Sequence, residues 1–127
     1  MITVIGTSPT LASGATIPLS PAVRAGDFLF VSGQLGLDDN RRLVGDDIVS
    51  QTRQTIARLD AVLAQAGGRR DQIIKVNVWL TDGADFPAFN KVYSELFPDR
   101  PPARSTVVSG LLIPGARVEI DAVAYLG

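Results

Sequence analysis

The sequence predicts a single α+β domain in which a mixed sheet carries two helices on one of its faces. Three observations predict it. A chain of 127 residues is long enough for one core and too short for two ordinary domains. Its periodic segments run strand, helix, strand, helix, strand, strand, and a mixed sheet with both helices on one side is the simplest arrangement for that order. Its strands also present apolar residues in both directions, so two helices would leave an apolar sheet face open, and association into an oligomer would cover it.

The opening third is punctuated by turn formers at Ser8-Pro9, Ser13-Gly14, Ser20-Pro21 and Ala25-Gly26-Asp27, and then reaches the strand Phe28-Leu29-Phe30-Val31. Ser32-Gly33-Gln34 closes that strand; a plain turn is the favoured reading, with a glycine bulge as the alternative. Asp46 or Asp47 can cap a helix in which Ile48, Thr52, Ile56, Leu59, Leu63 and Ala66 recur at three- and four-residue steps until Gly67-Gly68 stops it. Over residues 73–80, Ile74, Val76, Val78 and Leu80 alternate with Lys75, Asn77 and Trp79, as a strand requires. Pro87 fits the first turn of a second helix, whose Phe86, Phe89, Tyr93 and Leu96-Phe97 repeat helically until Pro98 and Pro101-Pro102. Residues 104–108 and 118–125 are the last two strands, joined by a loop containing Gly110 and Pro114-Gly115.

Composition narrows the chemistry. Hydrophobic residues at 46% and charged residues at 20% are a globular balance. No basic start precedes a long apolar run and no stretch reaches the roughly 18 apolar residues of a membrane span, so no membrane contact and cytoplasmic residence are the expectations. The chain contains neither cysteine nor histidine. Disulfides, a thiolate nucleophile, and the commonest metal ligand and general base are therefore absent, and serine–histidine hydrolysis, zinc-activated water and histidine-pair ribonuclease chemistry lack their parts. A net charge of −1 argues against a broad phosphate-binding surface and hence against nucleic acid. Arg41-Arg42 and Arg69-Arg70 read as solvated loop pairs, and Asp38-Asp39 and Asp46-Asp47 as turn and cap residues without the oxygen spacing of a calcium loop.

Carboxylates, arginines, lysines, hydroxyls and backbone groups remain. Arg104 opens a predicted strand directly after Pro101-Pro102-Ala103, and Glu119 interrupts the apolar run of the last strand, sharing a face with Asp121, Val123 and Tyr125. Two readings stand side by side. The pair is a structural ion pair or a set of solvated edge charges; or the Arg104 fork grips a carboxylate through two parallel hydrogen bonds while the Glu119 carboxylate orients a water. Asn90, in the second helix among aromatics, is a poor helix former for which capping or packing is the plain role.

Four stretches together resemble the RidA (YjgF/YER057c/UK114) family. They are the segment from Ser20-Pro21-Ala22-Val23 to Ser32-Gly33-Gln34, then Lys75-Val76-Asn77-Val78-Trp79-Leu80-Thr81-Asp82, then Phe86 through Phe97, and finally Pro101-Pro102-Ala103-Arg104-Ser105-Thr106 with Val118-Glu119-Ile120-Asp121-Ala122-Val123-Ala124. The resemblance implies a chorismate-mutase-like fold of the bacillus type, assembled as a homotrimer with three clefts between neighbouring subunits. For members with the arginine it implies hydrolysis of 2-imino acids and their 2-enamine tautomers to 2-keto acids and ammonia, with no metal or organic cofactor. Carried over, Arg104 binds the substrate carboxylate, Glu119 positions the attacking water, Ser32, Gly33 and Thr106 line the pocket, and Asn90 lies near the cleft. Well-studied members have a tyrosine in the segment held here by Pro21-Ala22-Val23 and a cysteine at the place of Thr106. A trimer that binds a small carboxylate metabolite without turning it over, and a ribonuclease or translation inhibitor, are the rival functions.

Overall fold

The computed structural model describes residues 1–127. Six strands form one sheet: β1 (Ile2–Ile5), β2 (Ala22–Ala25), β3 (Phe28–Leu35), β4 (Ile73–Leu80), β5 (Ala103–Val108) and β6 (Val118–Tyr125). Their order is β1-β2-β3-β6-β4-β5, and only β4 and β5 run parallel. The α2 crossover between them is what a parallel pair needs. Three expectations change. The opening third contributes β1 and β2, short strands hidden in the sequence by the turn formers around them. The strand begun at Phe28 continues to Leu35, and Ser32-Gly33-Gln34 is a bulge inside it rather than a turn, because the β3–β6 register shifts between Val31 and Gln34. Arg70 is not a solvated loop charge: its fork pairs with Asp60, and its Nη1 donates to the Leu96 carbonyl at 3.1 Å, tying together the C-terminal ends of both helices.

Helix α1 (Ile48–Gln65) starts where the Asp47 carboxylate accepts the Ser50 N–H at 2.8 Å, and ends before Gly67, whose φ of +74° suits the left-handed turn. Helix α2 (Phe86–Leu96) begins with Pro87 in its first turn. Both pack on the face of the sheet that carries Leu29, Val31, Val76, Val78, Val118 and Ile120, which are buried together with Ile56, Leu59, Leu63 and Phe89. The opposite face has no helical cover, and Phe28, Phe30, Val107 and Tyr125 on it are 42 to 50% exposed. No helix is long and apolar enough to cross a membrane.

Candidate functional site

Arg104 stands near the start of the edge strand β5. Its register partner on β4 is the buried Val76, so its side chain turns to the helix-covered side of the sheet. There Nη2 donates to the Asn90 Oδ1 at 2.9 Å, and the guanidinium carbon lies 4.8 Å from the Tyr93 ring centre, 5.5 Å from Phe89 and 5.7 Å from Phe86. Helix α2 supplies all four of these groups, and all four are neutral at ordinary pH. Burial pushes the Tyr93 hydroxyl up to about 12, against a smaller opposing pull from the Arg104 charge, so it stays protonated. The arginine is held in place by an amide and by ring faces that attract a cation without neutralising it. Every ion pair of the chain involves another arginine, namely Arg53, Arg58, Arg69, Arg70 and Arg117. Arg104 thus keeps its full charge and most of its five N–H donors for an anion.

The guanidinium borders an open groove of about 450 Å³, walled by Asn90, Tyr93, Phe97, Pro98 and Pro102. A larger groove of about 630 Å³ lies nearby around Asp60, Arg70, Asp71 and Arg100. Its Arg69 and Arg70 are already paired with Asp71 and Asp60, and Arg100 donates to the Asp71 carbonyl. Asp60, Asp71 and Asp99 line this larger groove whereas no carboxylate lines the smaller one, which makes the smaller groove the better anion site.

Glu119 occupies the central strand β6, between Leu35 of β3 and Trp79 of β4, on the face that carries no helices. Burial raises its pKa above the ordinary carboxylate range, and the nearby Asp121 raises it further. Gly33 in the β3 bulge lies directly against it: a Cβ at this position would run into the Glu119 carboxylate. The missing side chain is what gives the carboxylate its room. Gly33→Ala is accordingly expected to fold, since φ there is not in the left-handed region, but to displace the Glu119 head; a crystal structure of the variant beside a thermal melt checks this, and an unmoved carboxylate would contradict it.

The remaining candidates fall beside these two. The Ser32 hydroxyl donates to the Ser20 carbonyl at 2.6 Å, which fastens the 20–21 segment to the bulge. Thr106 follows Arg104 by two residues on the same side of β5, opposite Val78, and is half-buried. Arg104, Asn90 and Thr106 therefore share the helix-covered side, and Glu119 and Gly33 share the open side. Within one chain the two groups are not adjacent, and no ion pair joins Arg104 to Glu119. Spacing in the sequence had passed over the ring cage of Phe86, Phe89 and Tyr93. Their helical repeat was visible, but that the repeat faces an arginine depends on β5 lying beside β4.

Residues 10–126 match the family model described as endoribonuclease L-PSP. The chain belongs to that family. Among its relatives is the 3-aminoacrylate deaminase RutC of Acinetobacter baylyi, 40% identical over 122 residues that cover 95% of this chain and 93% of the relative. Protein mmf2 of Schizosaccharomyces pombe, named as mitochondrial, is 43% identical over 84% of this chain and 86% of its own length, so family members are not confined to the cytoplasm. The crystal structure of YyfA from Yersinia pestis, described as a protein of unknown function of the conserved Rid family, superposes with a TM-score of 0.87 at 37% identity over 98% of this chain and 99% of that one. The family and the α+β fold expected from the RidA resemblance are thereby established.

Proposed function

We propose that this member of the family hydrolyses reactive 2-imino acids and their 2-enamine tautomers to 2-keto acids and ammonia, in clefts formed between the subunits of a homotrimer. The single observation that carries the reading is Arg104: a guanidinium caged by neutral groups, without a counter-ion, at the edge of a groove. Such a group is suited to a carboxylate. The name of the Acinetobacter relative adds that a protein of this family deaminates an amino-acrylate, a substrate that likewise joins a carboxylate to a carbon–nitrogen bond open to water.

The chemistry asks little of the protein. An imine protonated on nitrogen has an electrophilic carbon already, so fixing the substrate and aiming a water suffice. Arg104 holds the carboxylate. Water adds to the iminium carbon as Glu119 takes one of its protons, giving a carbinolamine; Glu119 returns that proton to nitrogen; the carbon–nitrogen bond then breaks as the Glu119 carboxylate takes the hydroxyl proton, releasing ammonia and the 2-keto acid, and Glu119 passes that proton to solvent. A raised pKa suits a carboxylate that must both accept and return a proton. The residues provide for this reaction without a metal or organic cofactor.

The opposite placement of Arg104 and Glu119 in one chain supports a site completed by a neighbour, and the exposed Phe28, Phe30, Val107 and Tyr125 supply the apolar surface for such an assembly. Light scattering at micromolar concentration is expected to give three subunits, and specific activity should fall on dilution into the monomer range. A monomer with undiminished activity would contradict the shared cleft. The ribonuclease activity in the family's name is the weaker reading for a chain with no histidine and a net charge of −1. The function itself is tested by adding the protein to an amino-acid oxidase or serine dehydratase reaction over a panel of amino acids, with semicarbazide to trap the imine. Faster loss of imine and faster ammonia release are expected; a protein that only binds carboxylates would bind the 2-keto acid and release no additional ammonia.

A further inference from the structure

Glu119 is not the only carboxylate on its face of the sheet. Asp121 follows it by two residues along β6, and in a strand that spacing puts both side chains on one side, about 7 Å apart. Asp121 is fixed there: its Oδ1 accepts the backbone N–H of its register partner Asn77 at 3.2 Å. Neither carboxylate forms an ion pair within the chain. Around Glu119, β3 contributes Gly33 and Leu35, and β4 contributes Trp79 and Asn77, none of them charged. The one cation on this face of β4 is Lys75, opposite Val123, and its Nζ donates to the Ser105 hydroxyl at 3.1 Å. Helices α1 and α2 lie on the other side of the sheet. A shared cleft in the proposed trimer would add a neighbour's Arg104 to these groups.

We propose that Asp121 is a positioning residue for the reaction, a fixed negative charge that strengthens Glu119 as the base that takes the proton from water. The inference rests on the reading of Glu119 given above. Burial by itself would favour the protonated carboxyl, and the adjacent charge acts in the same direction, so that a proton once taken is held firmly enough to be handed to nitrogen. An arginine brought up by the substrate's carboxylate would otherwise weaken this base. Asp121 offsets that effect without touching the substrate.

The test is the pH dependence of kcat for imine hydrolysis by wild type, Asp121→Asn, Asp121→Ser and Glu119→Gln. Asparagine and serine each keep an oxygen for the Asn77 N–H while removing the charge. Both are expected to move the acid limb of the profile to lower pH and to lower the plateau by roughly threefold, as a weaker base should. A merely structural Asp121 would change stability and leave the limb in place. Acid limbs of both Asp121 variants that overlay the wild type would overturn the inference while leaving Glu119 as the base. A limb that persists at full activity in Glu119→Gln would overturn the reading of Glu119, and this inference with it.

Discussion

Replacing Arg104 by lysine is expected to lower imine hydrolysis by roughly thirty-fold to several-thousand-fold, the equivalent of about 2–5 kcal/mol for a charge-assisted bond lost in a desolvated cleft. The fold and the oligomer should remain. Lysine keeps the positive charge but offers a compact point donor in place of a flat fork, and it cannot both meet two carboxylate oxygens and lie over the rings of Tyr93 and Phe89. The surroundings of Arg104 make the test clean. It has no carboxylate partner in its own chain, so the substitution breaks no ion pair within the subunit. Imine trapping, light scattering and thermal melting on the same variant check the prediction. Near-normal turnover in an intact trimer would remove the carboxylate-binding role.

The second large effect is expected at Glu119. Glutamine preserves the shape but loses the charge and nearly all proton-accepting strength, so kcat should fall by on the order of 10²–10⁴, the range for a positioned acid–base group, with KM roughly preserved. The pH profile adds a signature. A carboxylate whose pKa is raised is ionised only above that value; wild-type activity should therefore decline on the acid side at a higher pH than an ordinary carboxylate would impose, and Glu119→Gln should lose this limb. An unchanged kcat would make Glu119 structural.

Much of the fold could be read from the chain because its strongest patterns are local. The helical repeat from Ile48 with an aspartate before it, the alternation over residues 73–80 and the proline at the start of α2 depend on neighbours within a few residues, and the structure places these elements where those patterns put them. What escaped depends on distant partners. Ile2–Ile5 is a strand because it pairs with Ala22–Ala25, and nothing within either tetrapeptide announces the other. Gly33 looks like a turn glycine until Glu119, far along the chain, is laid against it. Arg70 reads as half of a solvated pair until the end of α1 presents Asp60 and the end of α2 a free carbonyl.

The candidate site divides the same way. Arg104 and Glu119 were visible as charges interrupting apolar strands, and Ser32, Gly33, Asn90 and Thr106 came with the family pattern. That Arg104 and Glu119 lie on opposite sides of one sheet follows from the β4–β5 and β4–β6 registers, which no local pattern encodes. The sidedness changes the meaning of the pair: within one chain the two side chains do not meet, and in the proposed trimer they would form a pair only between chains.

That claim is open to one direct measurement. Arg104→Lys and Glu119→Gln proteins, each strongly impaired on this account, are mixed in equal amounts, dissociated and reassembled, and imine hydrolysis is compared with that of each variant treated alone. If each cleft takes Arg104 from one subunit and Glu119 from the next, random cyclic trimers regain about a quarter of the wild-type activity, since one cleft in four pairs two intact residues. If both residues served the same subunit's site, every cleft in the mixture would still carry one defect, and activity no higher than that of the separate variants would contradict the account.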